Sequence, residues 1–159
     1  MSKRKPAPDR MVWIDVETTG LDAGRDLLLE VAVVVTDGQL NELAHLSRSI
    51  AHPEQRVLEL MGPTVREMHV RSGLLAWLLM GPTVAAPVVE REIFDMLVAH
   101  GAVGAVAAGS SVAFDRGFLD VWMRDLNREG LNYRSVDVSG IAEDARLQGA
   151  GAVLEGAPV

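Results

Sequence analysis

The chain has 159 residues and a formal net charge of −7, with 22 acidic against 15 basic residues. This length suits a single domain with a substantial core, and no apolar run is long enough to span a bilayer. The sequence has no cysteine, which excludes disulfide and thiolate–zinc scaffolds. Because proteins that grip long nucleic acids usually carry a basic face, the acidic balance argues against an extended nucleic-acid footprint.

The two ends differ in composition from the segment between them. Residues 1–10 are polar and basic without the apolar segment of a signal peptide, so we expect a disordered arm, or alternatively a phosphate-binding one. Residues 149–159 are rich in Gly, Ala and Pro, which predicts a flexible tail. One folded domain, residues 11–148, lies between them. The absence of a targeting signal makes the cytoplasm the expected location.

The first half of this domain predicts three strands and then helices. An apolar, β-branched run ends at Asp15, and a second strand covers residues 27–36. Asp37-Gly38 predicts a tight hairpin turn into a third strand, residues 43–50, so these strands form an antiparallel meander. Short helices follow at 55–60, 64–71 and 74–79, and a longer amphipathic helix covers 84–100.

The second half alternates strand and helix. Small residues at 103–108 predict a strand, 114–126 a helix, and 132–138 the last strand. Ser139 is the expected N-cap of a final helix that runs to about residue 148. The order predicts an α/β fold with a mixed central sheet flanked by helices.

Two carboxylates interrupt the first strand. Since side chains alternate across a strand, Asp15 and Glu17 point to the same face. Neighbouring carboxylates away from water repel each other unless a cation lies between them, and Mg²⁺ or Mn²⁺ prefers such oxygen ligands. The alternative is an edge strand with two solvated acids, but the run before Asp15 is too apolar for an edge.

The string from Trp13 to Asp22, WIDVETTGLD, resembles the first motif of the DEDD 3′→5′ exonucleases, and of the oligoribonucleases in particular. The resemblance implies a ribonuclease H-like fold. It also implies hydrolysis of short single-stranded RNA to nucleoside monophosphates, with two Mg²⁺ or Mn²⁺ ions held in part by Asp15 and Glu17.

A second stretch, GSSVAFDRGF at residues 109–118, resembles the second motif of these exonucleases. It matches at Gly109, Ser111, Asp115 and Phe118 and departs at Ser110, where oligoribonucleases carry Asn. The resemblance makes Asp115 the third metal ligand. In isolation, Asp115 is equally an acid that complements the positive end of a helix.

The resemblance implies further substrate contacts. Leu21 matches an apolar wedge against a base, His69 lies in a stretch beside the substrate cleft, and Thr18 is expected to bind substrate as well. His69 has a structural role as its alternative. The position at which oligoribonucleases often carry a second wedge, a Trp, is Thr64 here.

The stretch YRSVDVS at residues 133–139 resembles a family pattern in which the tyrosine reaches into a neighbouring subunit's active site. Carried over, Tyr133 is catalytic across a homodimer interface. Arg134 and Ser139, together with Ser111, bind a terminal phosphate, for which a guanidinium is well suited.

The family's third motif, His-x-x-x-x-Asp, does not occur: no histidine is followed five residues later by an acid. The resemblance places this motif beyond Val159, so we expect a truncated chain or a degenerate relative with impaired turnover. Tyr133 and Asp137 have the spacing of a Tyr-type third motif, although on a strand.

These observations predict a metal-dependent 3′→5′ exoribonuclease without membrane association. Two alternatives stay open. The Thr18-Thr19 pair is closer to DNA-directed proofreading exonucleases, and the missing motif favours a non-catalytic relative that only binds nucleotides.

Overall fold

A computed structural model describes residues 9–148 of the chain. The strands are β1 (Met11–Thr18), β2 (Leu28–Thr36), β3 (Glu42–Ser49), β4 (Ala105–Gly109) and β5 (Leu131–Asp137). The helices are α1 (Glu54–Leu60), α2 (Pro63–Ser72), α3 (Leu74–Met80), α4 (Ala86–Ala99), α5 (Val112–Trp122) and α6 (Val138–Leu147), and a single π-helical turn covers Leu126–Gly130.

The five strands form one sheet in the order β3-β2-β1-β4-β5. β1, β2 and β3 pair antiparallel, whereas β4 and β5 run parallel to β1. The predicted α/β fold with its meander and mixed sheet is confirmed. β1 lies between β2 and β4, so the alternative of an edge strand with two solvated acids is wrong.

The main core lies on one face of this sheet. Along β1, Val12, Ile14 and Val16 are buried toward that face, while the residues between them are not. In α4, the buried residues Val89, Ile93 and Leu97 recur every four positions and pack against the sheet. α5 joins the same core, and its amphipathic face holds this helix against the end of β1.

A second, smaller core fixes the short helices. Leu29 at the start of β2 packs with Val57 of α1 and Leu75 of α3, and Leu27 and Met61 complete the cluster. Gly73 is both the C-cap of α2 and the N-cap of α3, and its φ of 83° suits a glycine. This cluster therefore holds the corner between α2 and α3 next to the polar end of β1.

The structure confirms one local prediction and corrects two. The hairpin turn expected at Asp37-Gly38 covers residues 37–41, where the Asp37 side chain accepts the backbone N–H groups of Gln39 and Asn41. The N-cap of α6 is Asp137, which accepts the N–H of Ser139, rather than Ser139 itself. The helix after β4 ends at Trp122, and the π-helical turn that follows it was not anticipated.

The predicted arm and tail lie outside the described residues, apart from positions 9 and 10. In the part of the chain that the structure describes, every helix is too short or too polar to cross a membrane.

Candidate active site

Three acidic side chains share the face of β1 and β2 that is opposite the main core. Asp15 and Glu17 alternate with the buried Ile14 and Val16, as predicted from the strand period. Glu30 on β2 stands directly across from Glu17, and the Ser47 hydroxyl donates to its carboxylate at 2.6 Å. Like charges placed opposite each other on a sheet destabilise it, so these acids lie in an unfavourable arrangement as long as they are all ionised.

Asp115 reaches the same end of β1 from the first turn of α5. Its side chain is buried, and Oδ1 accepts the backbone N–H of Val16 at 3.0 Å. The pairing of β1 with β4 stops at Trp13, so this N–H lies beyond the last β4 partner. Asp115 therefore supplies the acceptor that β4 does not, and it lies beside the strand segment that carries Asp15 and Glu17.

A glycine allows this approach. A Cβ on Gly109, at the end of β4, would lie 2.7 Å from the Ile14 carbonyl oxygen, so a larger residue would push β4 away from β1. Ser111 then takes a left-handed conformation, with φ of 57°, and α5 begins at the next residue. This tight turn brings the start of α5 over the end of β1.

Burial, and in addition the charge of neighbouring acids, raises the pKa values of Asp15, Glu17 and Asp115. Burial, and next the charge of Glu30, raises the pKa of Asp15. Burial also raises the pKa of Glu17, and the charges of Asp15 and Glu30 add to it, while His69 acts in the opposite direction. For Asp115, burial raises the pKa to about 6 despite the hydrogen bond from Val16, and Asp15 adds to the increase.

This donor set fits a divalent cation in its chemistry. Carboxylate oxygens are the ligands that Mg²⁺ and Mn²⁺ prefer, and a cation offsets both the burial of these charges and the repulsion between them, which together raise the pKa values of Asp15, Glu17 and Asp115. Among residues 9–148, no three His, Asp or Glu side chains are already grouped as a cation site. In this structure one oxygen of Asp115 is directed at the Val16 N–H instead.

His69 and Thr18, both predicted substrate contacts, bond to the protein itself in this structure. The His69 side chain is 1% exposed, and its Nε2 donates to the Thr18 carbonyl oxygen at 2.8 Å. Its Nδ1 lies 3.8 Å from the Glu17 carboxylate. The Thr18 hydroxyl donates to the Gly20 carbonyl at 2.6 Å. His69 thus holds the end of β1 beside Glu17, and the Thr18 hydroxyl holds the loop that follows.

The loop after β1 is organised by a buried acid, Asp26. Burial opposes its ionisation, but the Asp22 N–H, the Arg25 guanidinium and the Thr19 hydroxyl outweigh it and lower the pKa of Asp26. A Cβ on Gly20 would overlap the Asp26 carboxylate, so glycine at this position makes room for the buried acid. The loop that Asp26 fixes leaves Leu21 84% exposed, as a wedge against a base requires.

The remaining predicted site residues lie on β5, in the first turn of α6 and just before α5. β4 separates β5 from β1, a distance of roughly 10 Å for two strand spacings. Tyr133 is 78% exposed, and the Arg134 guanidinium lies 5.0 Å from its ring centre. Asp137 accepts both the Ser111 N–H and the Ser139 hydroxyl, so these serines bind a carboxylate here.

A cleft of about 480 Å³ opens beside the acids, a volume in the range of small-ligand sites. It is lined by Glu17, Glu30, Ser72, Gly73, Leu74 and Trp77. Our sequence analysis missed Glu30 and Trp77. Glu30 has the same signal as Asp15, a charge inside an apolar strand. Trp77 has no such signal, since only the packing of α3 brings it to this cleft.

Comparison with known proteins gives concordant results. The profile of the RNase T exonuclease family matches residues 12–156. The oligoribonuclease of Streptomyces coelicolor is 47% identical over 142 residues, 87% of this chain and 68% of that protein. The oligoribonuclease of Mycobacterium sp. strain KMS is 43% identical over 140 residues, 87% of this chain and 64% of that protein. The chain thus corresponds to about two thirds of the length of these relatives.

Among solved structures, exonuclease I from Methylocaldum szegediense superposes with a TM-score of 0.65 at 17% identity, covering 87% of this chain and 29% of that one. The zinc-bound complex of E. coli exonuclease I with single-stranded DNA gives 0.65 at 13% identity, covering 88% and 30%. These likenesses support the ribonuclease H-like fold. Because the family profile and the relatives cover most of the chain, it belongs to the RNase T exonuclease family and, within it, to the oligoribonucleases.

Proposed function

We propose that this chain is a metal-dependent 3′→5′ exoribonuclease that degrades short single-stranded RNA to nucleoside monophosphates. The observation that carries the proposal is the convergence of Asp15, Glu17 and Asp115 at one end of the central strand, from two segments of the chain that lie far apart in sequence. The relatives named oligoribonucleases support the choice of short RNA as substrate.

In this proposal Asp15, Glu17 and Asp115 hold two Mg²⁺ or Mn²⁺ ions. When bound, such ions supply Lewis-acid stabilisation of the phosphodiester under attack. His69 keeps Glu17 and the Thr18 carbonyl in place through its buried hydrogen bond. Leu21, exposed on the loop that Asp26 fixes, limits the position of the terminal nucleotide.

The β5 edge has a separate role. Tyr133 and Arg134 lie on β5, which β4 separates from β1, and both side chains are exposed and so available to a second copy. We therefore propose a homodimer in which Tyr133 completes the partner's site. Arg134, with Ser111 and Ser139, binds the terminal phosphate once the serines exchange Asp137 for that ligand.

The proposal is tested by turnover of a diribonucleotide in Mg²⁺ or Mn²⁺, with a dideoxynucleotide and a long RNA as competing substrates. We expect hydrolysis of the diribonucleotide and loss of at least about 10²-fold in kcat/KM for Asp15→Asn, because an electrostatic contact to the transition state is removed. Asp95→Asn, the same chemical change at an exposed position of α4, is the matched control.

Three results would contradict the proposal. Preference for the dideoxynucleotide indicates a DNA-directed exonuclease. Tight nucleotide binding without turnover indicates a non-catalytic relative. Turnover that survives Asp15→Asn shows that the acids do not carry the reaction.

A further inference from the structure

Among the residues that the structure describes, the indole of Trp77 is the one aromatic group that lines the cleft beside the acids. This side chain is 52% exposed and shares the cleft with Glu17 and Glu30. We propose that the Trp77 indole stacks on one base of the substrate and sets how tightly short RNA is held. The inference rests on the proposed function and adds a binding residue to it.

The backbone around Trp77 is built to hold the indole. A Cβ on Gly81 would lie 2.8 Å from Cδ2 and 3.0 Å from Cε2 of the ring, so only glycine lets the end of α3 come this close. At the other end, α3 begins at the left-handed Gly73, and Leu75 is anchored in the smaller core. The ring is therefore supported on the side of Gly81, while half of its surface stays open.

The charge of the cleft favours stacking over ion pairing. Glu17 and Glu30 line it together with Trp77, and none of the Lys or Arg residues between positions 9 and 148 lines it. An anionic substrate therefore gains no direct ion pair from these walls. Stacking on a neutral ring needs no charge, and every base has a π-face that can use it.

The other candidate positions do not offer a comparable surface. Trp13 is half-buried, and its Nε1 donates to the Thr36 hydroxyl. Trp122 packs edge-on against His52 between the two cores. Thr64, where the family resemblance suggested an aromatic, is exposed on α2 but carries no ring.

The test pairs a protein change with a substrate change. Hydrolysis of a diribonucleotide is compared with hydrolysis of two analogues that lack the 5′ or the 3′ base, for the full chain and for Trp77→Ala. We expect Trp77→Ala to raise KM for the intact substrate by about 5- to 150-fold. For one of the two abasic analogues, Trp77→Ala should leave KM unchanged, because that analogue lacks the base that stacks on Trp77.

Two variants separate stacking from structural damage. Trp77→Phe keeps an aromatic face and should restore at least part of the lost affinity. Met80→Ala removes an 89% exposed side chain of the same helix that does not line the cleft, and it should leave KM unchanged. A Trp77→Ala defect that is equal for all three substrates overturns the inference, whereas loss of turnover in Asp15→Asn continues to support the nuclease.

If the full chain does not turn over, calorimetric titration with adenosine 5′-monophosphate replaces the kinetic assay. Weaker binding by Trp77→Ala than by the full chain then supports stacking even though the nuclease proposal fails. Equal binding by the two proteins, or no binding by either, overturns the inference.

Discussion

The two faces of β1 carry opposite kinds of side chain. Val12, Ile14 and Val16 are buried against α4 and α5, whereas Asp15 and Glu17 point to the partly open face. The first face lowers the free energy of the fold by removing apolar surface from water. The second raises it through repulsion between carboxylates. Because side chains alternate across the strand, the residues that stabilise the fold and the residues of the candidate site lie on opposite faces of β1. Substitutions on one face can therefore be made without changing the other face.

Substitution of two neighbouring residues on opposite faces of β1 is the most direct test of this difference. Ile14→Ala should cost about 2–5 kcal/mol, because it removes buried methyl groups and leaves a cavity. Asp15→Ala, one residue further on the other face, should cost nothing measurable. Urea unfolding at constant m-value measures both. Equal losses for the two variants would show that the faces are not independent.

Titration of Asp115 is the next largest effect. Its pKa is about 6 in the folded chain, above the ordinary value of 3.8, so the folded state binds the proton more tightly than the unfolded state. This tighter proton binding adds to the free energy of unfolding. The contribution is fully present below about pH 4 and is lost as the pH rises through 6.

Asp115→Asn should accordingly stabilise the chain by about 2–3 kcal/mol at pH 8 in a chelating buffer, and by nearly nothing at pH 4. Asn keeps an oxygen for the Val16 N–H. Thermal unfolding over this pH range provides the measurement. A stability difference between Asp115→Asn and the wild-type chain that does not change with pH would contradict the raised pKa of Asp115. In excess Mn²⁺ the wild-type chain should instead be the more stable of the two.

Substitution of His69 tests whether its buried hydrogen bond to the Thr18 carbonyl stabilises the end of β1 that carries the acids. His69→Ala should cost about 1–3 kcal/mol, because the Thr18 carbonyl loses its buried donor. His69→Gln retains a donor and should cost less. The control is His45→Ala on exposed β3, with a change below about 0.5 kcal/mol. A neutral His69→Ala would show that the hydrogen bond does not support β1.

The smallest effect concerns Glu30. Glu30→Gln should stabilise the metal-free chain by about 0.2–1 kcal/mol, since one of two carboxylates opposite each other becomes neutral. The gain should shrink in 1 M salt. Glu67→Gln, an exposed acid paired with Arg71, serves as the control. A loss of stability in Glu30→Gln would mean that its bond from Ser47 outweighs the repulsion.

Parts of the site could be foreseen because their signals are local. The alternation of Asp15 and Glu17 follows from two residues within one strand, whereas Asp115 was indicated only by the family resemblance of its stretch. A structural role was one of the two alternatives for His69, but its bonding partner could not be foreseen in the same way, and neither could the role of Gly20. His69 bonds a carbonyl 51 positions away, and Gly20 makes room for a carboxylate that only the folded loop brings close.

The sequence by itself determined the order of strands and helices and the face on which the β1 acids lie, because both depend on periodicity between near neighbours. Only the tertiary structure decided which groups meet at that face. It placed Glu30 opposite Glu17, directed Asp115 to a backbone N–H left free at the end of β4, and brought Trp77 to the cleft. These contacts depend on register between strands and on the packing of helices, which are set by side chains distant along the chain.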